Sequence, residues 1–168
     1  MNTVLQDKDN ANFNVLYLAF ELSAKKWKLG FSNTVKLRQK TVDAGDWNSL
    51  LEEIALAKEK LKCSADCQVF SCYEAGRDGF WIHRALGSEN ITNYVIDSAA
   101  IEVNRRKRQV KSDGVDVRAL NRLLIRYCFG DLTAMKPVNV PSVEQEDKRR
   151  LQRERERVTW STKFSHLS

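Results

Sequence analysis

Residues 15–41, VLYLAFELSAKKWKLGFSNTVKLRQKT, decide the fold. Residues 15–20 are apolar and read as a buried strand. Residues 27–31 and 35–41 read as two further strands, with Ser32 and Asn33 as turn residues between them. Apolar, β-branched and aromatic runs punctuated by Ser and Asn predict a hairpin or meander. Beyond it, Trp47, Leu50, Leu51, Ile54 and Leu61 recur at helical spacing and predict a helix over about residues 46–62.

The same reading continues along the chain. Residues 69–73 form another apolar run, 78–86 a short helix and 94–96 a short strand. Val115, Ala119, Leu120, Leu123, Leu124 and Tyr127 place an apolar face on a helix over about residues 114–129. An antiparallel meander, a helix, and then alternating strands and helices make a mixed α/β sheet flanked by helices. Ribonuclease-H-like folds use this order, an analogy drawn on pattern alone. The two prolines, Pro137 and Pro141, mark a boundary at 136–141, because proline continues neither helix nor strand. Past it, residues 144–157 are densely charged, without Gly or Pro, and with Leu151 and Val158 as the few apolar positions. A helix so polar needs a partner to be stable. The organisation expected is a disordered tail over 1–14, a folded domain over 15–135, a linker over 136–141 and a charged helix over 142–168.

Composition narrows the function. Of 168 residues, 42% are hydrophobic and 30% charged, as in a soluble globular protein. The longest apolar run, around residues 13–20, falls far short of the roughly 20 residues that span a bilayer. The polar start, MNTVLQDKDNAN, is unlike a signal peptide. A cytoplasmic protein with reduced Cys63, Cys67, Cys72 and Cys128 follows. Cys63 and Cys67 have the spacing of half a zinc site, but the sequence lacks a second closely spaced Cys or His pair. Cys67 and Cys72 read as small core residues. The net charge of +6 is concentrated: residues 101–128 carry eight Lys/Arg against three acids, centred on Arg105, Arg106, Lys107, Arg108 and Lys111. Such a run is either a solvated basic face or the footprint of a nucleic-acid binder.

Carboxylates supply the candidate chemistry. Glu21 follows the first strand and Glu74 follows the run 69–73; ligands of open α/β sheets gather at the carboxyl ends of strands. Asp97 follows the short strand 94–96. Asp113 and Asp116 lie three residues apart at the start of the last sheet-packing helix, hence on one helical face. Asp113 also suits an N-cap, with Asp116 in the first turn. Two carboxylates 4 Å apart repel by about 4 kcal/mol at an effective dielectric near 20, so converging acids require protons or divalent cations. Mg²⁺ prefers oxygen ligands and bridges to phosphate, and acids beside a basic track point to metal-assisted phosphoryl transfer.

Four segments carry a family resemblance: FELSAKKWKLGF, CYEAGRDGFWIHRAL, NRRKRQVKSDGVDVRALNRLL and PVNVPSVEQEDKRRLQRERER. Over residues 15–157 the chain resembles the N-terminal part of DEDD transposases of the insertion-sequence-110 family, relatives of the pilin-gene invertase. Lys111-Ser112-Asp113-x-x-Asp116 is similar to the family's K-T-D-x-x-D-A signature. The resemblance implies a RuvC-like, ribonuclease-H-type domain holding Mg²⁺ (or Mn²⁺) through Glu21, Glu74, Asp113 and Asp116. It leaves Asp97 outside the set. Glu21 stands where the family usually has Asp and is one methylene longer. The resemblance further implies DNA as substrate, a structured guide RNA as partner, dimerisation through a coiled coil beginning after Pro141, and a bacterial cytoplasmic setting. A second domain supplies a nucleophilic serine in the family. The ending VTWSTKFSHLS departs from that pattern, so the expectation is a truncated or excised piece that binds nucleic acid without exchanging strands. The alternative reading is a non-catalytic nucleic-acid-binding remnant or regulator of the full-length enzyme. A sugar-kinase-like ATPase is disfavoured by the lack of a glycine-rich phosphate loop.

Overall fold

The structure, a computed structural model, describes residues 13–76, 79–97, 99 and 116–164, with side chains as far as residue 158. Its elements are β1 (Phe13–Leu22), β2 (Lys26–Ser32), β3 (Leu37–Asp43), α1 (Trp47–Lys60), β4 (Cys63–Glu74), α2 (Trp81–Ser88), β5 (Thr92–Ile96), α3 (Val117–Cys128) and α4 (Val143–Phe164). The strands form one sheet in the order β3-β2-β1-β4-β5. β1 pairs antiparallel with β2 and β2 with β3, while β4 runs parallel to both β1 and β5.

β1 is the central strand, with Leu16, Tyr17, Leu18, Ala19 and Phe20 all buried. A strand covered on both faces reads as a continuous apolar run, without the alternation of a half-exposed strand. β3 is an edge: only Val42 is buried, and Arg38 and Lys40 line it. Charged side chains on an edge discourage pairing with other chains. The turn before β3 falls one residue later than expected. Ser32 ends β2, and Asn33 organises the loop: its Oδ1 accepts from the Val35 and Lys36 amides (3.0 and 2.8 Å) and its Nδ2 donates to the Leu61 carbonyl (2.8 Å).

β4 begins at Cys63, six residues before the apolar run that announces it. Its first half, CSADCQ, is irregular because the pairing jumps from Phe13–Cys63 to Val15–Gln68. A bulge of this kind absorbs extra residues without breaking the strand. α1 starts where expected, after Asp46, whose carboxylate accepts from the Ser49 amide at 3.1 Å. The Ser49 hydroxyl, which donates to Asp46 Oδ2 at 2.6 Å, and then this capping bond hold the Asp46 carboxyl below its usual pKa. Leu50, Ile54 and Ala57 bury the inner face of α1.

The helices take opposite faces of the sheet. Trp27, Leu29 and Phe31 of β2 lie on the α1–α2 side. Gly30, of opposite parity, faces α3: a Cβ there would stand 3.2 Å from the Val117 Cβ. Under α3, Tyr17, Ala19, Cys72, Ile96, Leu120, Leu124 and Met135 form a buried cluster. Asn121 is buried in mid-helix and donates from Nδ2 to the Tyr17 and Gly30 carbonyls (3.1 and 2.9 Å), which pins α3 to β1 and β2.

The described residues fall into two compact units, dividing between Val138 and Asn139. In the second unit, α4 opens with a capping box. The Gln145 amide donates to Ser142 Oγ (3.2 Å) and the Ser142 amide to Gln145 Oε1 (3.1 Å). The helix runs from Val143 to Phe164. Among the described residues, no helix is long and apolar enough to cross a membrane. The first unit is a mixed α/β fold of ribonuclease-H-like type: an antiparallel meander extended by two parallel strands, with helices on both faces.

Candidate functional site at the carboxyl edge of the sheet

Glu21 and Glu74 come together by register. The pairing of β1 with β4 runs in parallel through Ala19–Cys72 and Phe20–Tyr73, so each acid is the next residue on its strand. Adjacent strands lie about 4.8 Å apart. Partners in a pair point to one face, and Ala19 and Cys72 lie under α3, so the two carboxylates project from the α3 side. Both acids are still within their strands, as the penultimate residue of β1 and the last of β4. Backbone pairing therefore fixes their level in the sheet more firmly than a loop position after the strands would.

Lys28 faces Glu21 across the antiparallel pair and its Nζ lies 3.4 Å from Glu21 Oε2. The Glu21 side chain is 21% exposed and that of Lys28 61%. An ion pair this exposed contributes little to stability. It does offset repulsion between the two glutamates at the rim. Sequence reading missed Lys28, whose signal is its place in Lys25-Lys26-Trp27-Lys28.

Asp116 reaches the same face from α3. The helix begins over β2, where Val117 packs on Gly30, two residues from Lys28. It then passes Cys72, whose Sγ lies 3.7 Å from the Leu120 carbonyl, and ends with Tyr127 against Tyr94 of β5 (ring centroids 5.3 Å apart). The N-terminus of α3, and with it Asp116, thus sits towards the β2 side of Glu21, with Glu74 on the β4 side. A helix N-terminus favours negative charge. Asp116 is itself the N-cap, with backbone angles of −48° and 140°, and its Oδ1 accepts from the Arg118 amide at 3.3 Å. This corrects the expectation that Asp113 caps the helix with Asp116 in its first turn: Asp116 is extended, and helical geometry starts only at Val117. Asp113 lies outside the described residues, as do Arg105, Arg106, Lys107, Arg108 and Lys111.

Asp97 stands apart. It follows β5 and its Oδ1 accepts from the Ala99 amide at 2.9 Å, an exposed turn of its own. Cys63 and Cys67 lie at the other end of β4, both buried; burial, with Cys67 beside it, pushes the Cys63 thiol up to about 11. Such thiols are inert. Among the described residues, no three or more His, Cys, Asp or Glu side chains form a group that could hold a metal ion. The edge presents two glutamates on neighbouring strands and a helix-capping aspartate, which by themselves do not form such a group.

No protein-family profile matches the chain. One curated relative is "Putative transposase y4rJ" of Sinorhizobium fredii (strain NBRC 101917 / NGR234), 35% identical over 153 residues, which is 88% of this chain and 39% of that protein. The chain thus spans about two fifths of the relative's length. A ribonuclease-H-like unit with carboxylates at one sheet edge is, by sequence, a relative of a protein described as a putative transposase.

Proposed function

We propose that this chain is the nucleic-acid-binding, metal-dependent part of a DNA transposase of the DEDD type, a RuvC-like domain that works on phosphodiester bonds. The observation that carries the reading is that Glu21 and Glu74 each follow the last β1–β4 partners, Phe20 and Tyr73, and share the face on which α3 begins. Glu21, Glu74, Asp116 and, beyond the described residues, Asp113 would hold Mg²⁺ or Mn²⁺. Their chemistry fits: all are carboxylate oxygens, the ligands that hard cations take. A divalent ion there supplies neutralisation of phosphate charge and activation of an attacking oxygen.

The chain's own residues do the rest. The two sheet-borne glutamates are held by backbone pairing. Asp116 is held by its capping bond, and Lys28 offsets the charge of Glu21. Arg105, Arg106, Lys107, Arg108 and Lys111 neutralise backbone phosphates of DNA or of a structured RNA. α4 provides self-association.

Mn²⁺ binding measured by titration calorimetry tests the reading. The wild type is expected to bind, and Glu21→Gln and Glu74→Gln each to weaken binding by at least the roughly tenfold cost of losing even an outer-shell partner. Wild-type affinity in both variants would remove the two glutamates from the metal site, and a wild type that does not bind Mn²⁺ would favour the regulator reading.

A further inference from the structure

We propose that Arg118 and Arg122, on the outer face of α3, hold the backbone phosphates of the DNA strand that enters the candidate metal edge. The inference rests on the nucleic-acid reading above and names residues that seat its substrate. α3 buries Val117, Leu120, Asn121 and Leu124 against the sheet. Its exposed positions are Arg118, Arg122 and Arg126, and no other residue type occupies that face. Steps of four residues keep the three on one side of the helix, about 6 Å apart along its axis. A face that only has to meet water mixes its residues, and α1 does so: its exposed positions are Asn48, Glu52, Ala55, Glu59 and Lys60.

Two of the three arginines are available to a partner. Among the described residues, neither Arg118 nor Arg122 forms an ion pair. Arg126 is instead engaged by Asp131, donating from Nε and Nη2 to its Oδ2 (3.0 and 2.6 Å). Arg118 also stands against the helix dipole. It is the second residue of α3, in a first turn that holds no acid, where a cation is disfavoured. Arg126 lies in the last turn, where the dipole favours a cation. Local structure therefore accounts for Arg126 and leaves Arg118 to another role, and residues that break a local rule mark functional positions.

Position and charge name the occupant. The Arg118 amide donates to Asp116 Oδ1 at 3.3 Å, so the residue that starts the row also holds a candidate metal ligand. A polyanion lying along the row passes the edge that carries Glu21 and Glu74, whose side chains project from the same side of the sheet. Guanidinium groups fork onto phosphate oxygens, which makes arginine the fitting residue for a nucleic-acid backbone. Phosphates of one strand rise about 3.4 Å per nucleotide, so a row about 12 Å long meets several in one pass. The strand worked on at this edge is DNA, which makes substrate DNA the occupant and structured RNA its competitor.

Fluorescence anisotropy across a salt series tests the row, with the full chain binding a mixed-sequence DNA duplex or a structured RNA. Arg118→Gln and Arg122→Gln are each expected to make the log–log salt slope for the duplex shallower by about 0.9, the share of one phosphate contact. Together they should remove about 1.8. Lys60→Gln, an equal loss of charge on α1 at the opposite face of the sheet, should leave the slope at its wild-type value. Thermal melts guard against a folding defect: Arg118→Gln should melt no lower than the wild type, since it relieves the conflict with the dipole. A wild-type slope in the double variant overturns the row and leaves the nucleic-acid reading standing. An equal change from Lys60→Gln also overturns it, because net charge alone then explains the loss. A slope change on the RNA with none on the duplex overturns DNA as the occupant. Absence of DNA binding by the wild-type chain overturns both the row and the reading beneath it.

Discussion

Asp116 holds two roles in one carboxylate, and substitution separates them. As N-cap it accepts from the Arg118 amide, so Asp116→Ala should cost about 1 kcal/mol of stability, whereas Asp116→Asn, an equally good cap, should change it by only a few tenths. Both variants should lose Mn²⁺ affinity, because an amide is a poor ligand for a hard cation. Thermal melts beside Mn²⁺ titrations check this, and an Asn variant that binds like the wild type removes Asp116 from the metal set. His83 offers a second residue-scale test. Buried Ser71 donates to Asn93 Oδ1 (2.7 Å), so Asn93 Nδ2 donates to His83 Nδ1 (3.0 Å), which must be unprotonated. Burial, and then neighbouring Arg84, hold the His83 pKa below its usual 6.5. The unfolded chain therefore takes up this proton first. The contribution is fully present above 6.5 and is lost as pH falls through the lower folded value. Melting temperature should fall more steeply with acid in the wild type than in His83→Gln. Parallel curves would mean that His83 makes no such contribution.

At the scale of elements, the seat of α3 on β2 positions the candidate site. Gly30 is required there for close approach, since any side chain would press on Val117 and lift the start of the helix. Gly30→Val is expected to cost about 1–3 kcal/mol, the usual range for overpacking, and to weaken Mn²⁺ binding although residue 30 bears no ligand. Urea unfolding and calorimetry together read this. Destabilisation without loss of metal affinity would show that the start of α3 does not position Asp116. Asn121 is the polar counterpart. Replacing it with Leu leaves two buried carbonyls short of a donor, and unsatisfied groups of this kind cost about 1–3 kcal/mol each.

For the whole molecule, the net charge of +6 and its concentration in residues 101–128 predict salt-dependent binding. Log affinity for duplex DNA should fall with log salt at about −0.9 per phosphate contacted, and for single strands at about −0.7. Changing Arg105, Arg106, Arg108 and Lys111 together to Glu should abolish binding to any sequence. Retained affinity would make the run a solvated face. α4 should act at this scale too. Leu151 and Val158 are 53% and 66% exposed and lie one heptad apart, the spacing of a coiled-coil seam. Sedimentation should show self-association that Leu151→Asp abolishes.

How much of this was legible in the sequence follows from the range of the forces involved. The five strands and four helices of the described residues were readable because burial leaves its period in the chain: the apolar run 15–20 marks a central strand, and the helical spacing of Leu50, Ile54 and Leu61 marks a helix face. The basic run and the positions of the acids beside strand ends were equally visible. Register was not visible. That Glu21 lies level with Glu74 depends on β1 pairing with β4 across some fifty residues of chain, and the bulge between Phe13 and Val15 shifts that pairing where no sequence period marks it. Gly30 and Asn121 were likewise mute, because a missing side chain and a buried amide acquire meaning only when α3 lands on them. Trp27, Trp47 and Trp81 are twenty and thirty-four residues apart in sequence, and their contact is set by where α1 and α2 begin. Sequence determined which elements form and what charge they carry, since those are local properties of the chain. The tertiary structure decided which side chains share an edge, since that rests on non-local hydrogen bonds and packing.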